Sequence, residues 1–247
     1  MINTRFDTEG ASGTAPEGEP IDLEFLRWLE YLAWRDLYAD KDLTKVARPR
    51  EFDYDDVVEQ AMFLFWRQGY QNTSIDDVES ATGLTKGSLY KAFKNKRDLF
   101  EKCLDLYMVR DSYKAIFMRM VDRPLIETYA HILNLMIESV NDDAKRPCGC
   151  LATNVIRELA GSDSALARDA SDGLGSMQEA MEFRLTWARD KGEFREDIDV
   201  KALASLMMVT LQGMVVLSTS TKDIPSMQRA RDLVIGVLKS NTPKRHR

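Results

Sequence analysis

Histidine and cysteine are scarce in this chain, which has two His and three Cys among its 247 residues. Three cysteines give no even disulfide framework, and two histidines give no convincing zinc site. The C-terminal half also has no Ser-His-Asp grouping and no glycine-rich phosphate loop, so catalytic chemistry has little support there. We therefore expect no bound metal, no cofactor and no enzymatic activity.

Long apolar runs are absent too. No segment approaches the roughly 18 consecutive apolar residues of a transmembrane helix, and the N-terminus lacks the basic-then-apolar pattern of a secretory signal. No alternating pattern of any length predicts a β-strand. We expect an all-α chain in a reducing cytoplasm, without a membrane partner.

The chain is acidic overall, with a net charge of −6, but the charge is unevenly distributed. Residues 1–45 contain ten acidic and five basic residues, and so account for −5 of that total. Residues 84–97 contain five basic residues and no acidic one. A local basic cluster of this kind can bind phosphate even in an acidic protein, although many such runs are only solvated helix faces.

The stretch from Thr73 to Phe93 predicts two short helices joined by a turn at Gly83. Glycine tolerates the positive φ that such a turn often needs, and the hydroxyl of Thr73 or Ser74 can cap the first helix. Leu89 and Phe93 give the second helix a buried face. Its other face is polar and basic, which suits the major groove of DNA. The pattern therefore predicts a helix-turn-helix.

Residues 48–107 resemble the DNA-binding domain of the TetR/AcrR family. The resemblance rests on motifs that agree in order and spacing, namely Gly69-Tyr70, Thr73-Ser74-Ile75, Gly83 through Tyr90, Phe93, Asn95-Lys96 and Leu99-Phe100. It implies an all-helical, dimeric, ligand-responsive regulator of transcription, most often a repressor.

The resemblance also implies which residues meet DNA. Arg48 and Arg50 stand where basic arms of related proteins approach the duplex, and Tyr90 and either Lys94 or Lys96 look like phosphate contacts. The full set that we expect to bind DNA is Arg48, Arg50, Thr73, Thr85, Lys86, Ser88, Tyr90, Lys91, Lys94 and Lys96.

Three regions are expected along the chain. They are an N-terminal extension (1–46), the helix-turn-helix domain (47–97) and an effector-binding and dimerisation domain (98–247). The first helix of the DNA-binding domain is predicted over Tyr54–Gln68, and a linking helix over Lys96–Arg119. Further helices are predicted over about 124–141, 151–160, 164–191, 200–219 and 226–240.

The N-terminal extension contains an apolar-rich segment, Ile21 to Tyr38, that predicts an extra helix. It departs from the family pattern, which begins near Arg48. The segment either supports the DNA-binding domain or contacts DNA or a second subunit, or it is a packing helix with no separate role.

The C-terminal half has many Met and aromatic residues at helical spacing. Such residues commonly form plain core, but the resemblance implies an effector cavity between the fourth and eighth helices. We expect a small-molecule effector there. The lining residues that we select are Tyr113, Phe117, Met136, Cys150, Asn154 and Trp187.

Cys150 belongs to a Cys-Gly-Cys-Leu segment (148–151) followed by Asn154. This segment resembles one in some family members, where a cysteine at a helix start faces the effector region. A helix N-terminus favours thiolate, and Lys145 and Arg146 would add to that effect. Cys150 is therefore either a sensor of electrophiles or oxidants, or a small buried packing residue. A metal site lacks the further ligands that it would need.

Apolar stripes on the last two predicted helices favour a homodimer interface, or else close the core of each subunit. They consist of Leu203, Leu206, Met207, Leu211, Met214 and Leu217 on the first helix, and of Leu233, Val234, Val237 and Leu238 on the second. A dimer is also favoured because a helix-turn-helix usually reads two half-sites about 34 Å apart.

The sequence thus predicts a repressor that binds double-stranded operator DNA as a homodimer and is released by a small-molecule effector. Two alternatives stay open. One is a small-molecule or thiol-redox enzyme that carries a DNA-binding domain, which an activity screen without DNA would reveal. The other is an architectural DNA-binding protein without an effector, which a solid C-terminal core would favour.

Overall fold

Helices account for about three-quarters of the described backbone in a computed structural model of the chain. The structure describes residues 53–142, 146–159 and 164–243, and no strand occurs within them. The all-α prediction is therefore confirmed. The N-terminal extension, together with Arg48, Arg50 and Lys145, lies outside the described residues.

The described helices fall into a short N-terminal group and a larger C-terminal bundle, which together with their connections form one compact unit from residue 51 onwards. In chain order they are α1 (Tyr54–Gln68), α2 (Ile75–Thr82), α3 (Lys86–Ala92), α4 (Lys96–Arg110), α5 (Tyr113–Arg119), α6 (Leu125–Asn141), α7 (Leu151–Leu159), α8 (Ser164–Asp190), α9 (Val200–Thr219) and α10 (Ile224–Ser240).

Local side-chain caps define α2 and α3, the two helices of the helix-turn-helix. Ser74 caps α2 in a reciprocal pair with Asp77, in which the Ser74 hydroxyl accepts from the Asp77 amide at 3.1 Å. Gly83 then ends α2 with a φ of 69°, in the left-handed region that glycine adopts without steric cost. Thr85 caps α3 by accepting from the Ser88 amide at 3.3 Å.

The expectation of one linking helix from Lys96 to Arg119 is wrong, because the chain breaks between α4 and α5. Ser112 causes the break: its hydroxyl caps α5 by accepting from the Ala115 amide at 3.1 Å. The guanidinium of Arg119 folds back and donates to the Arg110 carbonyl at 2.7 Å, which satisfies the end of α4. The chain therefore forms two shorter helices, α4 and α5, in place of the single predicted helix.

One charged side chain, Arg184 of α8, lies within the apolar bundle with only 1% of its surface exposed. It donates to the carbonyls of Phe117 (3.2 Å), Val121 (3.4 Å) and Arg123 (2.8 Å), at and beyond the end of α5. Burial lowers the pKa of Arg184 to about 10, so the group stays charged at neutral pH. Arg184 thus ties α8 to the end of α5.

Helix α9 has two apolar faces. Most of the stripe that the sequence offered as a dimer interface is buried inside the bundle, namely Leu203, Met207, Leu211 and Met214. A second stripe, with Leu206, Val209 and Val216, is exposed to solvent. Within the described part of the chain, α9 is the one helix long and apolar enough to cross a membrane, a weak criterion of length and composition alone.

Candidate nucleic-acid interface and the neighbouring pocket

Helix α3 is held to the core by one side and presents its other side to solvent. Leu89 and the following Phe93 are buried with 2% and 3% of their surface exposed. Tyr90 lies on the opposite side and is 54% exposed, which is unusual for so large a side chain. The remaining exposed residues at this surface are Thr85, Lys86, Lys91 and Lys94. These residues form one polar, basic face with a tyrosine near its centre.

An acidic partner holds Lys86 in place before any ligand arrives. Its ammonium forms an ion pair with the Asp76 carboxylate of α2. That contact raises the pKa of Lys86, with a smaller contribution from Glu79. Because both side chains are more than half exposed, water screens the pair and phosphate can replace Asp76 at little cost.

The other predicted contact residues are less uniformly placed. Ser88 is half-buried, with its hydroxyl 3.1 Å from that of Thr85. Lys96 is also half-buried, and its ammonium lies 4.5 Å from the centre of the Tyr70 ring. Partial burial lowers the pKa of Lys96. Thr73 is buried, and its hydroxyl donates to the Gly69 carbonyl at 2.7 Å, so it holds the loop before α2 rather than facing solvent.

An aromatic cluster joins the helix-turn-helix to the bundle. The ring of Trp66 (α1) meets Tyr107 (α4) edge-on, with centroids 4.8 Å apart. The guanidinium of Arg146 lies 4.8 Å from the Trp66 ring centre and 5.2 Å from that of Tyr113. It also donates to the Asp111 carbonyl at 2.6 Å, at the break between α4 and α5. Cation–π contacts of this kind are strongest where water is excluded.

A small pocket lies directly behind this cluster. The space open to the centre of a water molecule is only about 20 Å³, enough for about one water. Two predicted lining residues, Tyr113 and Cys150, do line it. The other side chains at its wall include Tyr107, Met108, Ser112, Lys114, Leu174, Met177, Leu211 and Gln212.

Four further residues selected for the effector site lie elsewhere. Phe117 and Met136 are fully buried, and Phe117 lies under the Arg184 guanidinium. Asn154 donates to the Trp66 carbonyl at 3.4 Å, between α7 and α1. Trp187 is half-buried with the Lys191 ammonium 5.7 Å from its ring centre. None of the four is part of the lining described above.

The three thiols have different surroundings. Cys150 lies at the start of α7, and its sulfur accepts a hydrogen bond from the Tyr107 hydroxyl at 3.1 Å. Burial raises the pKa of Tyr107 well above its usual value, so that hydroxyl stays a donor. Cys103 is sealed inside α4, and burial raises its thiol pKa well above the usual value. Cys148 is half-buried and donates to the Ser139 carbonyl at 3.2 Å.

Sequence reasoning missed Glu158 of α7, which contacts the helix-turn-helix directly. Its carboxylate accepts from the Gln71 amide at 3.0 Å, across 87 positions of the chain. Arg146 was noted only as a charge beside Cys150, not as a residue against Trp66. Neither contact follows a periodic pattern, so no signal in the sequence could have identified it.

Comparison with protein families supports the relation that the motifs suggested. Residues 57–103 match the family described as "Bacterial regulatory proteins, tetR family". Residues 130–234 match that described as "Tetracyclin repressor-like, C-terminal domain". The two matches together cover the helix-turn-helix and most of the bundle.

Individual relatives agree along most of their length. The transcriptional repressor ComR of Escherichia coli K12 is 29% identical over 74% of this chain and 85% of its own. The uncharacterised regulator YezE of Bacillus subtilis 168 is 30% identical over 78% of this chain and 100% of its own. A cysteine mutant of the TetR-family regulator CifR, solved with a 26-base-pair operator, is 25% identical over 78% of this chain and 100% of its own, with a TM-score of 0.66. The chain belongs to the TetR family of bacterial regulatory proteins.

Proposed function

We propose that this chain is a transcriptional repressor that binds operator DNA as a homodimer and leaves it when a small molecule enters the bundle. The observation that carries the proposal is the exposed basic face of α3, held rigidly by Leu89 and Phe93. The assignment as a repressor is supported by the relative ComR, which is a repressor by name. DNA binding is supported by the related CifR variant, solved with operator DNA.

The exposed apolar stripe of α9 supports a homodimer. Val209 is 70% exposed, and Leu233 on the adjacent α10 is 72% exposed. Large apolar side chains grouped on one surface mark an interaction site more often than a solvated face. A two-fold partner placed there would present two copies of α3 to successive major-groove half-sites.

We propose that an effector enters at the pocket and acts by shifting a conformational equilibrium; the nearly solid core is also what the alternative without an effector predicts. The walls of the pocket join α4, α5, α7, α8 and α9, so a ligand there contacts most of the bundle at once. Because the present space holds about one water, a larger ligand must displace side chains. Met108 is the flexible candidate, since its methyl group occupies the space beside Gly173. The ligand then needs only a preference of a few kcal/mol for the conformer that cannot bind DNA.

Replacing Lys86 or Tyr90 with alanine should weaken operator binding. Each substitution removes a charge-assisted contact with phosphate worth about 1.5–3 kcal/mol, so we expect about a 10- to 150-fold loss per half-site. Loss of the Lys86 contact should also lower the slope of log affinity against log salt by about one per site. Fluorescence anisotropy on a duplex selected from genomic fragments measures both effects.

Lys191→Ala is the matched control, because Lys191 is exposed at the end of α8, outside the helix-turn-helix. Its affinity and salt slope should equal those of the parent chain. If Lys86→Ala and Tyr90→Ala also bind like the parent, α3 is not the recognition helix.

The thiol of Cys150 should react with a mild electrophile such as iodoacetamide faster than that of Cys103. Cys150 is also buried, with 4% of its surface exposed, but it lines the pocket and becomes accessible when the pocket opens, whereas Cys103 is fully sealed and its raised pKa keeps it a neutral thiol. Alkylation should lower operator affinity. Cys150→Ser should keep DNA binding and lose this response, while Cys148→Ser should keep both. Peptide mass spectrometry that finds Cys150 intact while Cys103 or Cys148 is labelled would contradict the sensor hypothesis.

A further inference from the structure

The loop between α1 and α2 is held from outside the helix-turn-helix by Glu158 of α7, and also by Lys96 of α4, whose ammonium donates to the Gln71 carbonyl at 3.5 Å. The Glu158 carboxylate accepts from the Gln71 backbone amide at 3.0 Å, and the Glu158 backbone carbonyl accepts from the Gln71 side-chain amide at 3.1 Å. We call this pair of hydrogen bonds the Glu158–Gln71 contact. It joins the bundle to the segment that immediately precedes the cap of α2.

Gly69 makes room for this contact. Its φ of 86° is one that residues with a side chain rarely adopt. A Cβ atom added there would also lie 2.0 Å from the Glu158 carboxylate oxygen Oε1. The loop backbone therefore approaches the carboxylate as closely as the absence of a side chain permits.

The loop is stiff, so its position fixes that of the helices after it. The Thr73 hydroxyl donates to the Gly69 carbonyl at 2.7 Å inside the protein. The next residue, Ser74, caps α2 and is paired with Asp77. Moving Gln71 therefore moves the start of α2, and α3 follows through the short turn at Gly83.

The opposite end of α7 lies at the pocket. Cys150 and Ala152 line it, and Thr153 donates to Gln212 of α9 at 3.2 Å. Helix α7 spans nine residues, a rigid rod about 13 Å long at 1.5 Å per residue. The rod thus contacts the pocket with one end and the loop with the other.

We propose that Glu158 is a positioning residue that holds the helix-turn-helix in its DNA-binding orientation. The inference rests on the proposed function, and it names the contact through which the bundle controls that orientation. Without the carboxylate bond, the contact is reduced to the bond between the Gln71 side chain and the Glu158 carbonyl, and a smaller fraction of molecules has both recognition helices correctly placed. The apparent dissociation constant rises by the inverse of that fraction.

Three substitutions separate the geometry of the contact from its charge. Glu158→Ala removes the carboxylate acceptor and leaves the backbone one, Glu158→Asp keeps the charge but shortens the side chain, and Glu158→Gln keeps a side-chain acceptor at the same reach. The probe is a duplex that the wild-type chain selects from a random-sequence library. We expect about tenfold weaker binding for Ala and Asp, and binding within twofold of wild type for Gln. Binding to an unselected duplex should change little in all three, because phosphate contacts alone supply it.

Amide hydrogen exchange gives a readout on the loop itself. The Gln71 amide should lose protection in Glu158→Ala and keep it in Glu158→Gln, while amides in the middle of α4 stay protected in both. A second test is Gly69→Ala, alone and combined with Glu158→Ala. Because the added methyl group meets the carboxylate, its effect on operator affinity should be smaller once the carboxylate is gone.

The outcomes separate the two levels of inference. If the wild-type chain enriches no duplex, the proposed function fails. If it does and Glu158→Ala binds that duplex equally well, only the role of Glu158 fails. Tighter binding by Glu158→Ala would also overturn the proposal, because the contact would then hold the wrong orientation. If Glu158→Gln binds the operator as weakly as Glu158→Ala, the charge of the carboxylate matters rather than its position, and the positioning role is also overturned.

Discussion

Arg184→Met should lower the free energy of unfolding by about 2–4 kcal/mol. The substitution leaves the carbonyls of Phe117 and Val121 buried without their donor, at about 1–3 kcal/mol each. Part of this loss is offset, because methionine fills similar space and the folded protein no longer buries a cation. For a chain of this size the melting temperature should fall by roughly 5–15 °C. Differential scanning calorimetry measures the change.

Arg189→Met, on the same helix, is the control for this experiment. Among the described residues, Arg189 pairs only with its neighbour Asp190 near the surface, where an ion pair contributes little. Its melting temperature should stay within about 2 °C of the parent, because surface substitutions usually change stability by less than 0.5 kcal/mol. If Arg184→Met has the same melting temperature as the parent, other groups donate to the carbonyls at the end of α5.

Val209→Glu should convert the proposed homodimer to a monomer and reduce operator affinity at least a hundredfold. Val209 lies in the middle of the exposed α9 stripe, and a two-fold interface would bring two carboxylates together in an apolar surface. The fold should survive, because the side chain is 70% exposed. A monomer then has one recognition helix and binds one half-site. It loses the high effective concentration that linkage to a second DNA-binding domain provides. Analytical ultracentrifugation and anisotropy on the selected duplex give the two readouts.

Thr221→Glu adds the same charge just beyond α9, at an exposed position off the stripe. It should remain dimeric and keep wild-type affinity. A Val209→Glu variant that stays dimeric would place the interface on another surface. A monomer that binds the operator as tightly as the parent would remove the need for two half-sites.

Many helix ends could be predicted from the sequence, because residues close together in the chain determine them. Gly69 ends α1 where the sequence placed its end, and Ser74 caps α2 as predicted. The Ser74 hydroxyl accepts from an amide three residues away, so the sequence contains the whole interaction. Thr85 caps α3 in the same way, although it was predicted only as a contact with DNA. The break at Ser112 was missed because its stability also depends on Arg119, which folds back from the end of α5.

The sites were harder to predict, because they depend on which way each helix is rotated. Tyr113 and Phe117 are one turn apart on α5, yet only Tyr113 reaches the pocket. Glu158 is a charged residue of the kind usually found on a solvated helix face. Its contact with Gln71, 87 positions away, arises only because tertiary packing brings the loop against α7. Spacing along the chain specifies a face of a helix, while tertiary packing decides what that face meets.

Helix α3 also has a consequence for how operators change over evolution. Of its seven residues only Leu89 is buried, while the polar ones that face outward contribute almost nothing to folding. Substitutions on that face therefore alter base readout without a penalty in stability, whereas most substitutions in a protein carry one. After gene duplication, a copy of this chain can acquire a new operator one residue at a time and keep its bundle and pocket unchanged.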